Sequence, residues 1–516
     1  MGFAVTMINK SAVLFTIIFT LLTACEPVSQ SSIEHQEPQS AQASRTLLTR
    51  GVYGDLTLDV YQLERQEQAQ FLRDLFEGLV GLDPTGQVIP ALAESWHTED
   101  YQQWRFTLRE GLSWSNGTPL VAQDFVQSWQ QLARSETALK QYLALMNINN
   151  AQAVIAGHLP VQQLGVVAID ERILQLTLDK PTPYLVKMLS NVALFPHYQG
   201  QLKEGEFVSN GAYQLLSQQD NVIHLGKNPY YWNEKAVAFK QVDYHKINAT
   251  QDITTLDLVE EPRQPVANLQ YFDRLCTYYY EFNFRHPLLA QQRIRNGLTS
   301  LLALTHIEGL PATLRVHRDF LPQNLQQQFM DHWQGNSVEQ LLSQQGISER
   351  NPLTLRLTYD TESIHPLIAE QLIRMWSQSD MIRIKPEPVT WQQLQQKRNQ
   401  GDFDLIRSGW CADYNDPMAF FSLLYSHSPD NKMGYQNAQF DKFLEQALLA
   451  QQENVKALYV QLENLVQEDK VVLPLFQYRY PVYFSPSIAG YQQDNPTGVI
   501  YSKDLFRRVI SRSTLK

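Results

Sequence analysis

The sequence predicts an α/β protein with more than one lobe. The chain has 516 residues, whereas single hydrophobic cores stop growing near ~250–300 residues. An apolar fraction of 43% and a charged fraction of 18% are ordinary globular values. Strand-period and helix-period patterns alternate along the chain. No solenoid or propeller repeat interrupts them, and no apolar stretch after the N-terminus is long enough to span a bilayer.

The N-terminus reads as an export signal. Lys10 precedes a mostly apolar run at 12–24. That run is shorter than the ~20 residues a spanning helix needs, and it suits the apolar segment of a secretory leader. It ends Leu22-Thr23-Ala24-Cys25, which resembles the lipobox of bacterial lipoproteins. Signal cleavage and lipidation at Cys25 are therefore expected; an ordinary soluble leader with an incidental cysteine is the other reading. Residues 26–45 are rich in Ser, Gln, Glu and Pro and read as a flexible tether. Cys276 and Cys411 remain, an even pair in an exported chain. They are a candidate disulfide or two separate buried thiols.

Net charge is −11. An acidic surface repels phosphate backbones, so no nucleic-acid partner is expected. Twenty-four Tyr and nine Trp fill cores, and they also suit a cleft that must be apolar and still form hydrogen bonds.

The elements follow in order. Residues 104–108 alternate apolar and polar as a strand, and Asn116-Gly117 marks a turn. Val121, Phe125, Trp129 and Leu132 then recur at helical spacing, although Val121 offers no side-chain cap. Asn210-Gly211 leads into a strand at 213–216. From Cys276 the alternation is clean. Cys276, Tyr278, Tyr280, Phe282 and Phe284 share one face; Thr277, Tyr279, Glu281 and Asn283 share the other. One face is expected to pack and the other to line a cleft. Ser363 is expected to cap a helix carrying Ile364, Leu367, Ile368, Leu372 and Met375, with Pro366 in its first turn. Residues 402–406 read as a strand leading to Arg407. Helical spacing returns at 440–448 and 455–466.

Six segments then carry a resemblance: RDLFEGLVG (73–81), LREGLSWSNGTPLVAQDFVQSW (108–129), SNGAYQL (209–215), KNPYYWN (227–233), CTYYYEFN (276–283) and RSGWCADYND (407–416). The chain resembles the oligopeptide-binding proteins of bacterial ABC importers (solute-binding protein family 5) over most of residues 50–510. The resemblance implies a two-lobed, hinged periplasmic-binding-protein fold of class II. Lobe one would take 48–89, 201–275 and 490–516, an extra domain 90–200 and lobe two 276–489. Residues 1–24 would be the signal and 25–47 the lipidated tether.

The implied function is capture of short peptides in the periplasm, with delivery to inner-membrane permease subunits. A closed cleft strips water from a peptide, so each terminal charge needs a partner. The resemblance gives Asp413 to the N-terminal ammonium, and Arg407 and His365 to the C-terminal carboxylate. A planar guanidinium suits a carboxylate, and free N–H groups at a helix start favour an anion. Glu77, Tyr279, Glu281, Trp391, Arg398, Gly409, Trp410 and Cys411 match cleft-lining positions. A Cys276–Cys411 bridge is also implied. A monomer without cofactor or metal is expected. The stretches 246–276 and 303–348 look shorter than usual in this family, which leaves peptide length open.

No catalytic signature stands out: there is no His-Glu-x-x-His, Gly-x-Ser-x-Gly, P-loop or Cys/His zinc spacing. Three readings remain. One is the importer's peptide receptor. The second is a receptor for murein peptides or for peptide-carried haem or metal. The third is a binding-fold lipoprotein acting as chaperone, sensor or adhesin.

Overall fold

A computed structural model describes residues 46–327, 338–450 and 452–508. The expected leader, Cys25 and nearly all of the tether lie outside them, as does part of the stretch 303–348 that was expected to be short. Described residues 46–508 belong to one compact unit beginning at Ala43.

An eleven-stranded mixed sheet runs through the molecule. Its order is Ile382–Val389, Leu353–Asp360, Leu405–Cys411, Leu269–Phe282, Val472–Phe484, Leu258–Glu260, Leu47–Val52, Gln241–Lys246, Val222–Lys227 and Tyr213–Gln219, with Leu314–Val316 paired to Val472–Phe484. At one end, Leu353–Asp360 is parallel to both its neighbours. The helices His365–Trp376 and Trp391–Gln400 make the crossovers, since parallel strands require them.

Two long strands, Leu269–Phe282 and Val472–Phe484, connect the two ends of this sheet. Their pairing shifts register between Asp273 and Thr277, and such a bulge bends a strand and increases its twist. Gln477 secures the irregularity. Its Nε2 donates to the Arg274 carbonyl at 2.8 Å and to Asn324 Oδ1 at 3.2 Å, while its Oε1 accepts from Arg315 at 2.8 Å and from the Gln323 N–H at 3.2 Å.

A separate four-stranded sheet pairs Ala93–Thr98, Gln103–Leu108, Ile173–Thr177 and Val166–Ala168 in that order. The helix Ala122–Arg134 packs on it through Phe125, Trp129 and Leu132. The cap that Val121 lacks comes from inside the helix, where Asp124 accepts the Val121 N–H at 2.9 Å. The Asn210-Gly211 turn also has a tertiary role. Asn210 bonds both the N–H and the carbonyl of Glu77, at 3.1 and 3.0 Å. A Cβ on Gly211 would meet the Leu75 backbone at 2.6 Å, so only glycine lets the two segments approach.

Two expectations are corrected. Ser363 does not cap its helix. The helix begins at His365 with Ile364 at the cap position and no side-chain bond there, and Ser363 takes a left-handed φ of 50°. The strand at Cys276 also does not have one open face. Thr277, Tyr279 and Glu281 are as buried as Tyr278 and Tyr280. Tyr278, Tyr280 and Phe282 pack with Leu355, Ile368 and Trp376. Tyr279 is covered by Phe320, with ring centroids 5.5 Å apart.

Candidate peptide-binding site

The residues singled out from the sequence fall into three groups around the long strand Leu269–Phe282. The first group centres on the disulfide. Cys276 and Cys411 stand directly opposite in the antiparallel register and are bonded to each other. The bridge fixes the strand end from which residues 412–416 depart. Asp413 follows as an exposed side chain. It lines a cavity of about 310 Å³ together with Cys276, Cys411, Gln66, Asn191 and Thr497. None of the described side chains bonds or ion-pairs with its carboxylate. Loss of water around it raises its pKa above the usual carboxylate range.

Residues 414–416 are held from the far side. Tyr414 stacks on Tyr184, with centroids 5.0 Å apart and planes 6° apart. Buried Asp416 receives Lys187 Nζ at 2.6 Å and the Tyr459 hydroxyl at 2.7 Å. The segment flanking Asp413 is thus rigid while the Asp413 carboxylate is open to a ligand. That is the preorganisation a binding group requires.

The second group lies at the carboxyl end of the parallel strands, where open α/β sheets place their ligand crevices. Asp360 ends one strand, and His365 opens the helix that follows. Trp391 opens the next helix, and Arg407 rises from Leu405–Cys411. Arg407 Nη2 donates to His365 Nε2 at 2.6 Å, and its Nε lies 3.5 Å from Asp360 Oδ2. Its guanidinium sits 5.4 Å from the Tyr278 ring centroid and 5.5 Å from that of exposed Trp391. Burial, then the Arg407 charge, lowers the His365 pKa to about 4. The imidazole is therefore neutral near pH 7 and accepts from Arg407. Arg407 is thus a cation held between neutral His365 and the Asp360 carboxylate.

The third group is buried. Glu281 accepts Arg398 Nε at 2.7 Å, and Arg398 Nη2 also donates to the Asp430 carbonyl at 3.0 Å. The Glu281 carboxyl is fully buried, and burial raises its pKa against the opposing pull of Arg398 and Ser408. Tyr279 lies beside this pair on the same strand face. Trp410 faces Thr277 across the strand pair, with its indole N–H buried and without a hydrogen-bond partner among the described residues. Gly409 is exposed opposite Tyr278, and a Cβ there would lie 3.2 Å from the Thr277 carbonyl oxygen.

Glu77 stands apart from all three groups. Its carboxylate is taken by Tyr231 at 2.7 Å, Trp232 Nε1 at 2.5 Å and Lys503 Nζ at 2.5 Å. It is a structural anion that ties the segment after helix Gln66–Leu75 to residues 231–232 and 503, and it has no oxygen left for a ligand. Asp360 was missed from the sequence. Its only signal was an acid ending a strand five residues before His365.

Among the described residues no group of three or more His, Cys, Asp or Glu could hold a metal ion, and no helix is long and apolar enough to cross a membrane.

The family model for bacterial extracellular solute-binding proteins, family 5, matches residues 87–432. A Haemophilus influenzae protein named "Putative binding protein" is 47% identical over 511 residues, covering 98% of each chain. The unliganded open form of MppA, a periplasmic murein tripeptide binding protein, matches with a TM-score of 0.83 and 30% identity, covering 90% of this chain and 97% of that one. Haemophilus influenzae OppA in complex with the peptide RPPGFSPFR matches with a TM-score of 0.63 and 28% identity, covering 90% and 99%. The score is higher against that unliganded open form than against the peptide complex. The chain is a mixed α/β, non-enzymatic binding protein belonging to the bacterial extracellular solute-binding proteins of family 5, in their oligopeptide- and murein-peptide-binding branch.

Proposed function

We propose that the protein captures short peptides with free termini outside the cytoplasm and hands them to the permease of an ABC importer. The observation that carries this reading is Asp413, an unpaired, partly desolvated carboxylate on a disulfide-anchored and stacked segment facing a cavity. Such a group suits an ammonium that gives up its own water on binding. Arg407, oriented by His365 and Asp360, supplies the opposite charge for a carboxylate. A peptide with both ends free matches the two charges in sign.

Closure would bend the sheet at the Asp273–Thr277 irregularity and Gln477. That would bring lobe one and the extra domain onto lobe two, the hinge motion by which such receptors trap ligands. A lipid on Cys25 would hold the mature protein at the envelope.

The relatives are named for oligopeptides, dipeptides and murein peptides, and one Escherichia coli relative, 32% identical, is named for deoxycholate. The 33% identity to the murein peptide-binding protein of Escherichia coli, over 85% of this chain, supports small murein-derived peptides as a second reading. Mass spectrometry of ligands released from gently purified protein tests both. Short peptides with free N-termini are expected; diaminopimelate-containing peptides alone would select the second reading. An empty cleft that also ignores added peptide would refute the proposal.

A further inference from the structure

The cavity beside Asp413 has more positive charge on its wall than an ammonium site calls for. Arg73, Lys187 and Arg274 line it, and Asp413 is its one carboxylate. This stands against a chain of net charge −11. Lys187 is paired with Asp416 at 2.6 Å. Arg274 lies over the Tyr480 ring, 5.4 Å from its centroid.

Arg73 is the unusual member. It sits in the last turn of helix Gln66–Leu75. Its Nε and Nη1 are buried and have no hydrogen-bond partner among the described residues. The Tyr501 hydroxyl hydrogen-bonds the guanidinium, and the Glu260 charge also favours its charged form. Burial pulls its pKa below the usual arginine range. A buried guanidinium with two idle donors costs stability unless a partner arrives. A helix C-terminus favours a cation by only about 0.3–1 kcal/mol, which does not call for its burial.

We infer that Arg73 is a second ligand-binding group, which receives an acidic side chain from the first or second residue of a peptide whose ammonium is held by Asp413. The cavity would thus select peptides that begin with an ammonium and a nearby carboxylate. Arg274, on the bulged strand segment, adds to the positive field without being committed to a carboxylate.

This inference rests on the peptide-receptor reading, and one set of titrations separates the two. Calorimetry of the full-length mature protein would compare Ala-Ala-Ala with Glu-Ala-Ala, Gln-Ala-Ala, Ala-Glu-Ala and Ala-Gln-Ala at low salt. At least one Glu peptide should bind about tenfold more tightly than its Gln twin, the size of a charge-assisted hydrogen bond. That ratio should fall to about one in Arg73→Met, which should still bind Ala-Ala-Ala. If Ala-Ala-Ala fails to bind the unaltered protein, the peptide reading falls and this inference falls with it. If it binds but both Glu-to-Gln ratios are near one, the role of Arg73 alone is overturned. This comparison holds even if Arg73→Met does not fold. A purely structural Arg73 would lower the melting temperature when replaced and leave the ratio unchanged.

Discussion

Replacing Asp413 with alanine is expected to weaken the binding of a free tripeptide at least about 100-fold, because removing one partner of an ion pair buried on closure costs roughly 3–5 kcal/mol. The fold should tolerate the change. The Asp413 side chain is exposed, and desolvation of its charge is a cost rather than a support. Melting temperature should therefore stay the same or rise slightly while calorimetric affinity collapses. Asp413→Asn keeps the shape and removes the charge, and it should lose nearly as much. Affinity within about threefold of the unaltered protein in both variants would remove Asp413 from the site.

The second large effect is on stability. In Arg398→Met, Glu281 remains fully buried and loses its charged partner at 2.7 Å. A loss of about 3 kcal/mol in denaturant unfolding at neutral pH is expected. The pH dependence has a definite sign. Burial already holds the Glu281 pKa above its ordinary value. A carboxyl whose folded pKa is raised is easiest to accommodate when protonated. Its cost begins as pH rises past the unfolded pKa and is complete above the folded one. Removing Arg398 raises the folded pKa further. The deficit of the variant should therefore be largest near pH 7 and shrink as pH falls toward the ordinary carboxylate range. A deficit that grows on acidification would contradict this account of the pair.

Much of the fold was legible because it rests on local signals. The alternation from Cys276 gave the strand and the division of its residues between faces. The spacing of Val121, Phe125, Trp129 and Leu132 gave the helix that begins at Ala122. Alternation alone does not say what covers each face. Tyr279 is buried by Phe320, and Glu281 is paired by Arg398, 117 positions away. That is why a face expected to be open proved closed. The fate of Glu77 was hidden for the same reason, since its three partners come from residues 231, 232 and 503.

The site was legible in part. The segment 407–416 carries both Arg407 and Asp413, and Cys411 meets Cys276 as the resemblance implied. What the segment does not carry are the groups that set its chemistry. Asp360 partners Arg407, and the Tyr184 and Lys187 contacts hold the residues after Asp413. These are long-range contacts between residues of ordinary type, and no spacing announces them. Ser363 shows a different limit. Serine is a good cap by composition, but the chain turns there with positive φ, which places the helix start at His365 instead.

The central claim is that a free peptide ammonium is what the Asp413 segment recognises. The most direct measurement is calorimetry of one tripeptide with a free N-terminus and with that terminus acetylated, against the same unaltered protein. Acetylation removes the positive charge and leaves the backbone in place. The account predicts that the acetylated form binds at least about 100-fold more weakly, and equal affinity for the two forms would contradict it.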